Sequence, residues 1–376
     1  MGLGLGYFFR ALYLAVTRRR LTSRRVGFYL LFLPLFFLLY FIVWVGQTID
    51  RLLFRSHQAQ EIRSPFFIIA TPRSGTTLLH RALCLDDKQF TYFRTYQTLL
   101  PSISLYQLVK SFSRLELNQG KLSKKVVGAI NRQLFTAWKG IHATSMDDAE
   151  EDEGLFIYTF FTPAVYLLFP VIDQIPIFRS SDNLPSKQRK RLMAYYKGCL
   201  QRFLFSFGKG RTLLSKNVLS TGRLQSLLET FPDARVVYIL RHPYEAIPSL
   251  LSLFYAVWQS HSPEISKDSP EMRSLARMGF DYYRYLTNLI HNSNNKQFLC
   301  IRYEELIADL EGVVEKIYTY FNLPFDSEFQ ARLIHLASQE KNYQSAHQYS
   351  LEDYGLRREV VFSELKDVFE AYGFSR

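Results

Sequence analysis

Short apolar runs alternate with segments of helical periodicity over most of the chain, and this alternation predicts the fold class. Four runs have the length of a strand and are largely apolar without alternation, which is typical of strands buried on both faces. They lie at 66–70, 212–216, 235–240 and 298–301. Segments with helical spacing follow three of them, at 76–85, 244–258 and 305–321. The pattern therefore predicts an α/β fold in which helices flank a parallel sheet.

A separate apolar segment precedes this pattern. Residues 26–49 contain no charged side chain, and at 1.5 Å per residue they are long enough to cross a hydrocarbon core of about 30 Å. Arg24 and Arg25 stand before the segment and Arg51 after it, and Trp44 is an aromatic residue of the kind found at membrane interfaces. The run is too long for a cleaved signal peptide. It predicts a transmembrane or membrane-embedded helix that binds a lipid bilayer.

The orientation of this segment is left open by the sequence. Residues 1–25 form a basic, amphipathic leader, and its arginines favour a cytoplasmic start with the rest of the chain carried across the membrane. Against that, the chain has no Asn-x-Ser/Thr glycosylation site, and Pro34 would kink the helix into a monotopic hairpin. Single-pass and monotopic attachment both remain, with the cytoplasmic face slightly favoured for residues 64–376.

Composition and charge narrow the class of protein. Apolar residues make up 48% of the chain and charged residues 21%, which excludes a disordered protein. The net charge is +12, but the first 63 residues hold nine arginines and only two acids, so the rest is mildly basic and no nucleic acid is expected as a partner. Three cysteines, Cys84, Cys199 and Cys300, are far apart, which argues against a disulfide scaffold and a zinc site. The predicted domain, 64–376, contains a mostly helical insertion at about 92–200.

The first predicted strand runs into a loop that is suited to an anion. Such a strand, loop and helix present backbone N–H groups and a helix dipole to a phosphate. Compared with the nucleotide-triphosphate loop GxxxxGK[ST], Gly75 and Thr77 match, Thr76 stands at the lysine position, and the basic residue is Arg73. The loop therefore favours a terminal phosphate with a group bonded to it over a magnesium-bound triphosphate. The predicted binding residues are Pro72, Arg73, Ser74, Gly75, Thr76 and Thr77.

This loop resembles the 5′-phosphosulfate loop of the PAPS-dependent sulfotransferases, bacterial members included. A second stretch, 235–249, is similar to the family segment in which an arginine at a strand end and a serine eight residues later bind the 3′-phosphate. Here these residues are Arg241 and Ser249. Weaker matches are Lys216 at the end of another strand, Tyr303 in the sequence RYEEL, and 347–356. The resemblance covers 66–356 and leaves out the membrane segment.

The resemblance implies a P-loop-like fold and a sulfuryl donor, 3′-phosphoadenosine 5′-phosphosulfate (PAPS), with a hydroxyl-bearing acceptor and no metal. It implies that the loop amides hold the 5′-phosphate and that Arg241 and Ser249 hold the 3′-phosphate, with Tyr303 near the nucleotide. Sulfuryl transfer needs cations beside the bridging and leaving oxygens, as phosphoryl transfer does. We assign this task to Arg73 and Lys216.

The catalytic base is less evident. Some relatives carry a glutamate shortly after the first helix, but 90–96 contains no acid. The acidic run 147–153 resembles a segment of bacterial members, and like charges raise the pKa of a carboxylate, as a base requires. Glu151 is our first candidate, although the run also fits a solvated, acidic helix start. His142 and His80 follow as alternatives.

Three functions compete on these grounds. The first is a membrane-anchored sulfotransferase that acts on a lipid, glycan or other alcohol. The second is a nucleotide kinase or NTPase with a degenerate P-loop, which Thr76 and the absence of a metal-binding aspartate after a strand disfavour. The third is an inactive nucleotide-binding scaffold at the membrane.

Overall fold

A computed structural model of the protein describes residues 1–17, 22–71, 73–119, 148–292, 296–340 and 349–376. Its sheet has five parallel strands in the order β2-β3-β1-β4-β5. The strands are β1 (Phe66–Ala70), β2 (Phe90–Tyr92), β3 (Thr212–Lys216), β4 (Arg235–Leu240) and β5 (Phe298–Arg302). Four of them, and their parallel arrangement, confirm the prediction. The short strand β2 was not predicted, because three residues carry no readable period.

The register of the strands brings three loops to one edge of the sheet. Central strand β1 pairs with β3 on one side, where Ile68 is level with Lys216, and with β4 on the other, where Ala70 is level with Ile239. The chain therefore leaves β1, β3 and β4 at adjacent points. In open parallel sheets, ligands bind at this carboxyl edge.

Helices cover both faces of the sheet. The described α-helices are α1 (Leu5–Thr17), α2 (Ser23–Leu53), α3 (Thr76–Cys84), α4 (Thr95–Leu99), α5 (Ile103–Gln119), α6 (Glu153–Phe156), α7 (Val165–Leu168), α8 (Ser186–Phe203), α9 (Leu224–Thr230), α10 (Pro243–His261), α11 (Pro270–Asn292), α12 (Tyr303–Ala308), α13 (Leu310–Tyr320), α14 (Ser327–Glu340), α15 (Arg358–Glu364) and α16 (Lys366–Tyr372). Helices α3, α13 and α14 pack on one face, and α8 to α11 pack on the other. Burial of both faces explains why the strands are continuously apolar.

One predicted helix is divided in two. The apolar spacing of 305–321 predicts a single helix, but α12 ends at Ala308 and α13 begins at Leu310. Asp309 lies between them with non-helical φ and ψ of −147° and 79°, and its carboxylate accepts a hydrogen bond from the Gly312 N–H at 2.9 Å. A local side-chain cap therefore interrupts the helical period.

Helix α2 includes the predicted segment 26–49. Among the described helices it alone is long and apolar enough, by length and composition, to cross a membrane. Pro34 lies inside this continuous helix and does not turn the chain. The predicted hairpin at Pro34 is therefore wrong, although α1 packs beside α2.

Candidate active site

The loop after β1 ends in a glycine that no other residue can replace without strain. Gly75 precedes α3 with a φ of +76°, a conformation that favours glycine. A β-carbon at this position would also lie 3.1 Å from Cε2 of Tyr303 and 3.2 Å from Cδ2 of Leu306. The loop thus rests directly on α12, and the first turn of α3 points its N–H groups out of the sheet edge. This is the geometry that binds an anion at a helix start.

The loops after β1 and β4 are joined by an arginine. Arg241 follows the last residue of β4, and its Nη1 donates to the carbonyl oxygen of Arg73 at 2.6 Å. The guanidinium lies over the Tyr303 ring, 4.2 Å from its centroid, and pairs with Glu245 at 2.8 Å. Arg73 has a φ of +69°, unusual for a residue with a side chain, and the contact from Arg241 holds its carbonyl in place.

A buried hydroxyl chain makes a second connection between the same two loops. The Thr71 hydroxyl lies 3.2 Å from that of Ser74 and donates to the hydroxyl of Tyr283 at 3.2 Å. Tyr283, on α11, donates in turn to the carbonyl oxygen of Arg241 at 2.6 Å. Burial raises the pKa of Tyr283 above its usual range, so its hydroxyl remains protonated and keeps donating. Tyr283 therefore fixes the position of the two loops relative to each other.

Lys216 and Glu151 form an ion pair beside the first turn of α3. Lys216 is the last residue of β3 and is almost fully buried; its Nζ lies 3.1 Å from Oε1 of Glu151 and 3.4 Å from the Thr77 hydroxyl. Strand β3 neighbours β1, so the lysine reaches the loop from the adjacent strand. A cation thus stands at the loop although Thr76 occupies the lysine position of the nucleotide-triphosphate motif.

The residue after Glu151 anchors this segment to β3. The carboxylate of Asp152 is fully buried and accepts hydrogen bonds from the Tyr196 hydroxyl, the Ser215 hydroxyl at 2.8 Å and the Asn217 amide at 2.7 Å. Ser215 and Asn217 flank Lys216 in the sequence. Burial raises the pKa of Asp152 to about 6, and the neighbouring Glu153 carboxylate adds to this effect. Asp152 therefore fixes the position of Glu151 relative to Lys216.

Glu153 is also turned inward. Its carboxylate receives both Nη atoms of Arg223, at 2.7 and 3.0 Å, and the hydroxyl of Thr162. Arg223 is buried and lies over the Phe156 ring at 3.7 Å. The alternative of a solvated acidic helix start is therefore wrong for Asp152 and Glu153, whose buried carboxylates anchor the acidic segment (148–153) to the interior, while Asp148 is exposed.

His80 is buried on α3, one turn after the loop. Desolvation lowers its pKa well below the usual range, and the positive charge of Lys216 adds to this effect. Its Nε2 has no hydrogen-bond partner among the described residues, and its ring meets Tyr92 edge-on at 5.9 Å. A neutral histidine enclosed in this way is poorly placed to meet an acceptor.

The structure thus brings most of the predicted residues to one edge of the sheet. Arg73, Ser74, Gly75, Thr76, Thr77, Lys216, Glu151, Arg241 and Tyr303 lie on the three loops and the elements that touch them. Ser249 is buried in α10, the helix that follows Arg241. Pro72 and His142 lie outside the described residues. Tyr283 and Asp152 were missed: Tyr283 sits in an apolar helical pattern, and the acidic run hid the inward orientation of Asp152.

Metal ligands form no cluster in this part of the molecule. Within the described ranges, no group of three or more His, Cys, Asp or Glu side chains is placed to hold a metal ion. The three cysteines are free; Cys199 is buried, and Cys84 and Cys300 are partly buried.

Comparison with known proteins agrees with this architecture. The omega-hydroxy-beta-dihydromenaquinone-9 sulfotransferases Stf3 of Mycobacterium bovis and Mycobacterium tuberculosis are each 27% identical over 316 residues, which is 83% of this chain and 76% of theirs. The crystal structure of sulfotransferase STF9 from Mycobacterium avium has a TM-score of 0.68 at 18% identity, covering 87% of this chain and 81% of that one. For STF1 from M. tuberculosis the TM-score is 0.66 at 20% identity, covering 97% and 93%.

These solved structures share the fold. The family follows from the sequence itself, because the model that describes the sulfotransferase family matches residues 65–327, well over half of the chain. The protein belongs to the sulfotransferase family and is a sulfotransferase.

Proposed function

We propose that the protein transfers a sulfuryl group from PAPS to the hydroxyl of a membrane-dissolved lipid. The contact between Arg241 and the Arg73 carbonyl is the main support. It joins the β1 loop, suited to the 5′-phosphosulfate, to the β4 exit, suited to the 3′-phosphate, within 2.6 Å. One nucleotide with phosphates at both positions is the ligand that would touch both loops at once.

The donor would be bound by groups of complementary charge. The amides of Ser74 to Thr77 receive the 5′-phosphate at the start of α3. The Arg241 guanidinium, already stacked on Tyr303, receives the 3′-phosphate together with the hydroxyl of Ser249. Glu245 competes for Arg241 in the absence of donor, so phosphate binding exchanges one anionic partner of this arginine for another.

Transfer then requires one bond to form and one to break. The acceptor oxygen bonds to sulfur while sulfur separates from the bridging oxygen of the 5′-phosphate, and adenosine 3′,5′-bisphosphate leaves. Negative charge grows on the bridging oxygen. Lys216, beside the loop, and Arg73, within it, stabilise this charge because both are cations at the sheet edge. The acceptor proton passes to the carboxylate of Glu151.

The ion pair between Lys216 and Glu151 couples donor binding to the release of the base. In the absence of donor, the lysine neutralises the glutamate at 3.1 Å. A sulfuryl group beside the loop attracts Lys216 by charge, and Glu151 is then released to accept a proton. Asp152 keeps the glutamate beside the acceptor oxygen throughout, since its three hydrogen bonds do not involve Lys216.

A lipid acceptor is supported by the relatives and by α2. The two Stf3 proteins are named for an omega-hydroxylated menaquinone, a hydroxyl at the end of a lipid. We extend the lipid class, though not that molecule, to this chain. Helix α2 attaches the enzyme to the bilayer in which such an acceptor is dissolved.

The test uses the full chain in membranes with PAPS labelled in the sulfuryl group and with EDTA present. We expect label in the lipid extract, carried by a product that is more acidic than its precursor. Binding of adenosine 3′,5′-bisphosphate without transfer would favour the inactive scaffold, and magnesium-dependent ATP turnover would favour the kinase.

The role of the base is tested in the same assay. Glu151→Gln should lower kcat by about 10²-fold or more, because general bases contribute this much. Glu150→Gln is the matched control, since Glu150 accepts the Glu151 N–H at 2.9 Å and is not the partner of Lys216. A Glu151→Gln enzyme as fast as wild type would move the role to His142 or another group.

A further inference from the structure

Helix α2 directs three polar residues toward the protein and an apolar surface away from it. Arg25, Gln47 and Asp50 are buried, and the exposed positions between residues 26 and 49 are apolar throughout. Helices on the surface of a soluble domain have the opposite arrangement. Fourteen of the twenty-one large hydrophobic side chains exposed in the described part of the chain lie between Tyr7 and Leu53, so the apolar surface is concentrated here.

Both ends of the helix are fixed to the domain by buried charges. At the start, Arg25 pairs with Glu264 and donates to the Ser262 hydroxyl at 3.2 Å. Near the end, Asp50 accepts the N–H groups of Ile103 and Ser104, each at 2.9 Å, and the Nε of Arg202 at 3.1 Å. The two anchors are 25 residues apart, or about 38 Å along a helix axis.

The middle of α2 is held as well. The Tyr29 hydroxyl donates to the Leu168 carbonyl at 3.2 Å, and the Tyr40 ring stacks on Phe160 at 5.9 Å. Helix α1 packs antiparallel to α2, and the ring centroids of Phe8 and Phe36 are 6.2 Å apart. The protein therefore lies along the whole inner side of α2, and α1 and α2 together form a helical pair whose outer face is apolar.

The charges around this outer face match a phospholipid surface. Arg10, Arg24, Arg51 and Arg55 are exposed at its margins, and Trp44 is half exposed within it. A second copy of the chain would bring arginines against arginines, whereas anionic head groups complement them. Lipid is thus the occupant that the charges favour.

We infer that the α1–α2 pair lies in the plane of the membrane, with its outer face in one leaflet, and does not cross the bilayer. Because the domain holds α2 at both anchors, a crossing helix would have to carry either the part of the domain that holds Glu264 or the part that holds Arg202 across the bilayer, at a high free-energy cost. The start of the chain and the active site are then on the same side. This inference rests on the membrane attachment proposed above and is independent of sulfuryl transfer.

The start of α1 is bound to the chain that follows the acidic segment. The N–H groups of Gly2 and Gly4 donate to the carbonyls of Tyr158 and Thr159 at 2.8 and 2.7 Å. These carbonyls lie seven and eight residues after Glu151.

Depth measurements distinguish the two topologies. Leu30→Cys or Leu52→Cys, at two strongly exposed positions, is made in a chain with Cys84→Ser and Cys300→Ser that keeps only the buried Cys199, and the new cysteine carries an NBD fluorophore. The two positions are about 33 Å apart along the helix, the thickness of a hydrocarbon core. When the protein is added to preformed phosphatidylethanolamine–phosphatidylglycerol vesicles, external dithionite should quench both labels. Protection of one label and quenching of the other would overturn the inference.

A charge on the outer face gives a second test. Leu38→Glu places a carboxylate in the exposed apolar surface, and Ile334→Glu places one at a similarly exposed position on α14. We expect Leu38→Glu to reduce flotation with these vesicles by about tenfold or more, and Ile334→Glu to leave it unchanged. Both variants should bind adenosine 3′,5′-bisphosphate like wild type, which separates this test from the proposed reaction.

Two outcomes contradict the inference here. One is unchanged flotation of Leu38→Glu. The other is a stable dimer in sedimentation that Leu38→Glu dissociates, together with absence of vesicle binding by wild type, which would assign the face to a second copy.

Discussion

The two sides of the site are built differently. The loops after β1 and β4 are joined by neutral hydrogen bonds and by one arginine that donates to a main-chain carbonyl. The acidic segment is held by buried charges, the Lys216–Glu151 pair and the Glu153–Arg223 pair among them. Arg241 also pairs with Glu245, and the 3′-phosphate would replace that partner, but the contacts that join the two loops to each other are not ion pairs and can stay in place when a charged ligand arrives. The Lys216–Glu151 pair, in contrast, is redistributed. We therefore expect the loops to govern donor affinity and the acidic segment to govern turnover.

The largest effect should come from Lys216→Met. Methionine keeps the length of the side chain and removes the charge that stabilises the leaving oxygen, which costs about 10³-fold in kcat. The affinity for adenosine 3′,5′-bisphosphate, measured by calorimetry, should change much less, because the loop amides and Arg241 remain.

A control separates charge from structure at this position. Lys216→Met leaves Glu151 without its partner, so the double variant with Glu151→Gln removes the unpaired carboxylate as well. If the lysine only held Glu151 in place, the double variant would be as fast as Glu151→Gln alone. We expect it to be much slower than Glu151→Gln, because the charge beside the leaving oxygen is also lost.

The next effect concerns stability and pH. Asp152 has its pKa raised from 3.8 to about 6 by burial, so the folded protein holds this proton more tightly than the unfolded chain does. The stabilisation is complete below pH 3.8 and is lost as the pH rises through about 6. The interval corresponds to about 3 kcal/mol in the free energy of unfolding. Asp152→Asn lacks this titration, so its stability relative to wild type should increase by about that amount between pH 4 and 7.

Urea unfolding in detergent at several pH values measures this difference. The lost hydrogen bonds of the variant contribute a constant offset, so only the slope with pH is diagnostic. Tyr196→Phe is the control: it removes one hydrogen bond to Asp152 and keeps the titrating group. Because that hydrogen bond lowers the pKa of Asp152, this variant should lose at least as much stability as wild type when the pH rises. A flat difference between Asp152→Asn and wild type would contradict the raised pKa.

The sequence predicted what depends on neighbours in the chain. Four strands, the loop ending at Gly75 and the arginine after β4 are all local patterns, and the register of parallel strands then brings their ends together. Asp309, which divides a predicted helix, shows the limit of periodicity, because one side-chain cap outweighed it.

The remaining contacts join residues far apart in sequence. Tyr283 reaches Arg241 from 42 positions away, and Asp152 meets Asn217 across 65. Nothing near either residue in the sequence indicates its partner. A tyrosine in an apolar helical pattern is more often a core residue, and an aspartate in an acidic run is more often solvated. The face of α2 was missed for a different reason: 26–49 was assessed for hydropathy, and the inward direction of Arg25 and Asp50 depends on the fold around them.

A smaller effect should follow from Arg241→Ala. Loss of a charge-assisted contact to phosphate costs about 1.5–3 kcal/mol, so the KM for donor should rise roughly 10- to 100-fold with little change in kcat. Glu245→Gln is the control, since it removes the anion that competes for Arg241 and should leave the KM equal or lower. Equal KM values for wild type and Arg241→Ala would mean that the residue after β4 does not bind the donor.

The smallest effect should come from Tyr283→Phe, which removes a single hydroxyl and no charge. That hydroxyl accepts from Thr71 and donates to the Arg241 carbonyl, so its loss loosens the register between the two loops without touching either phosphate site. We expect the KM for donor to rise by about three- to tenfold, in line with about 1 kcal/mol for a buried hydrogen bond, and kcat to stay the same.

Tyr282→Phe is the matched control for this substitution. Its hydroxyl donates to the Arg179 carbonyl at 2.8 Å from the same helix, and this contact lies away from both loops. The two variants should lose similar amounts of stability in thermal unfolding, but only Tyr283→Phe should change the KM. Equal kinetics for the two variants would mean that the hydroxyl chain contributes to the fold alone, and that Arg241 by itself holds the donor loops together.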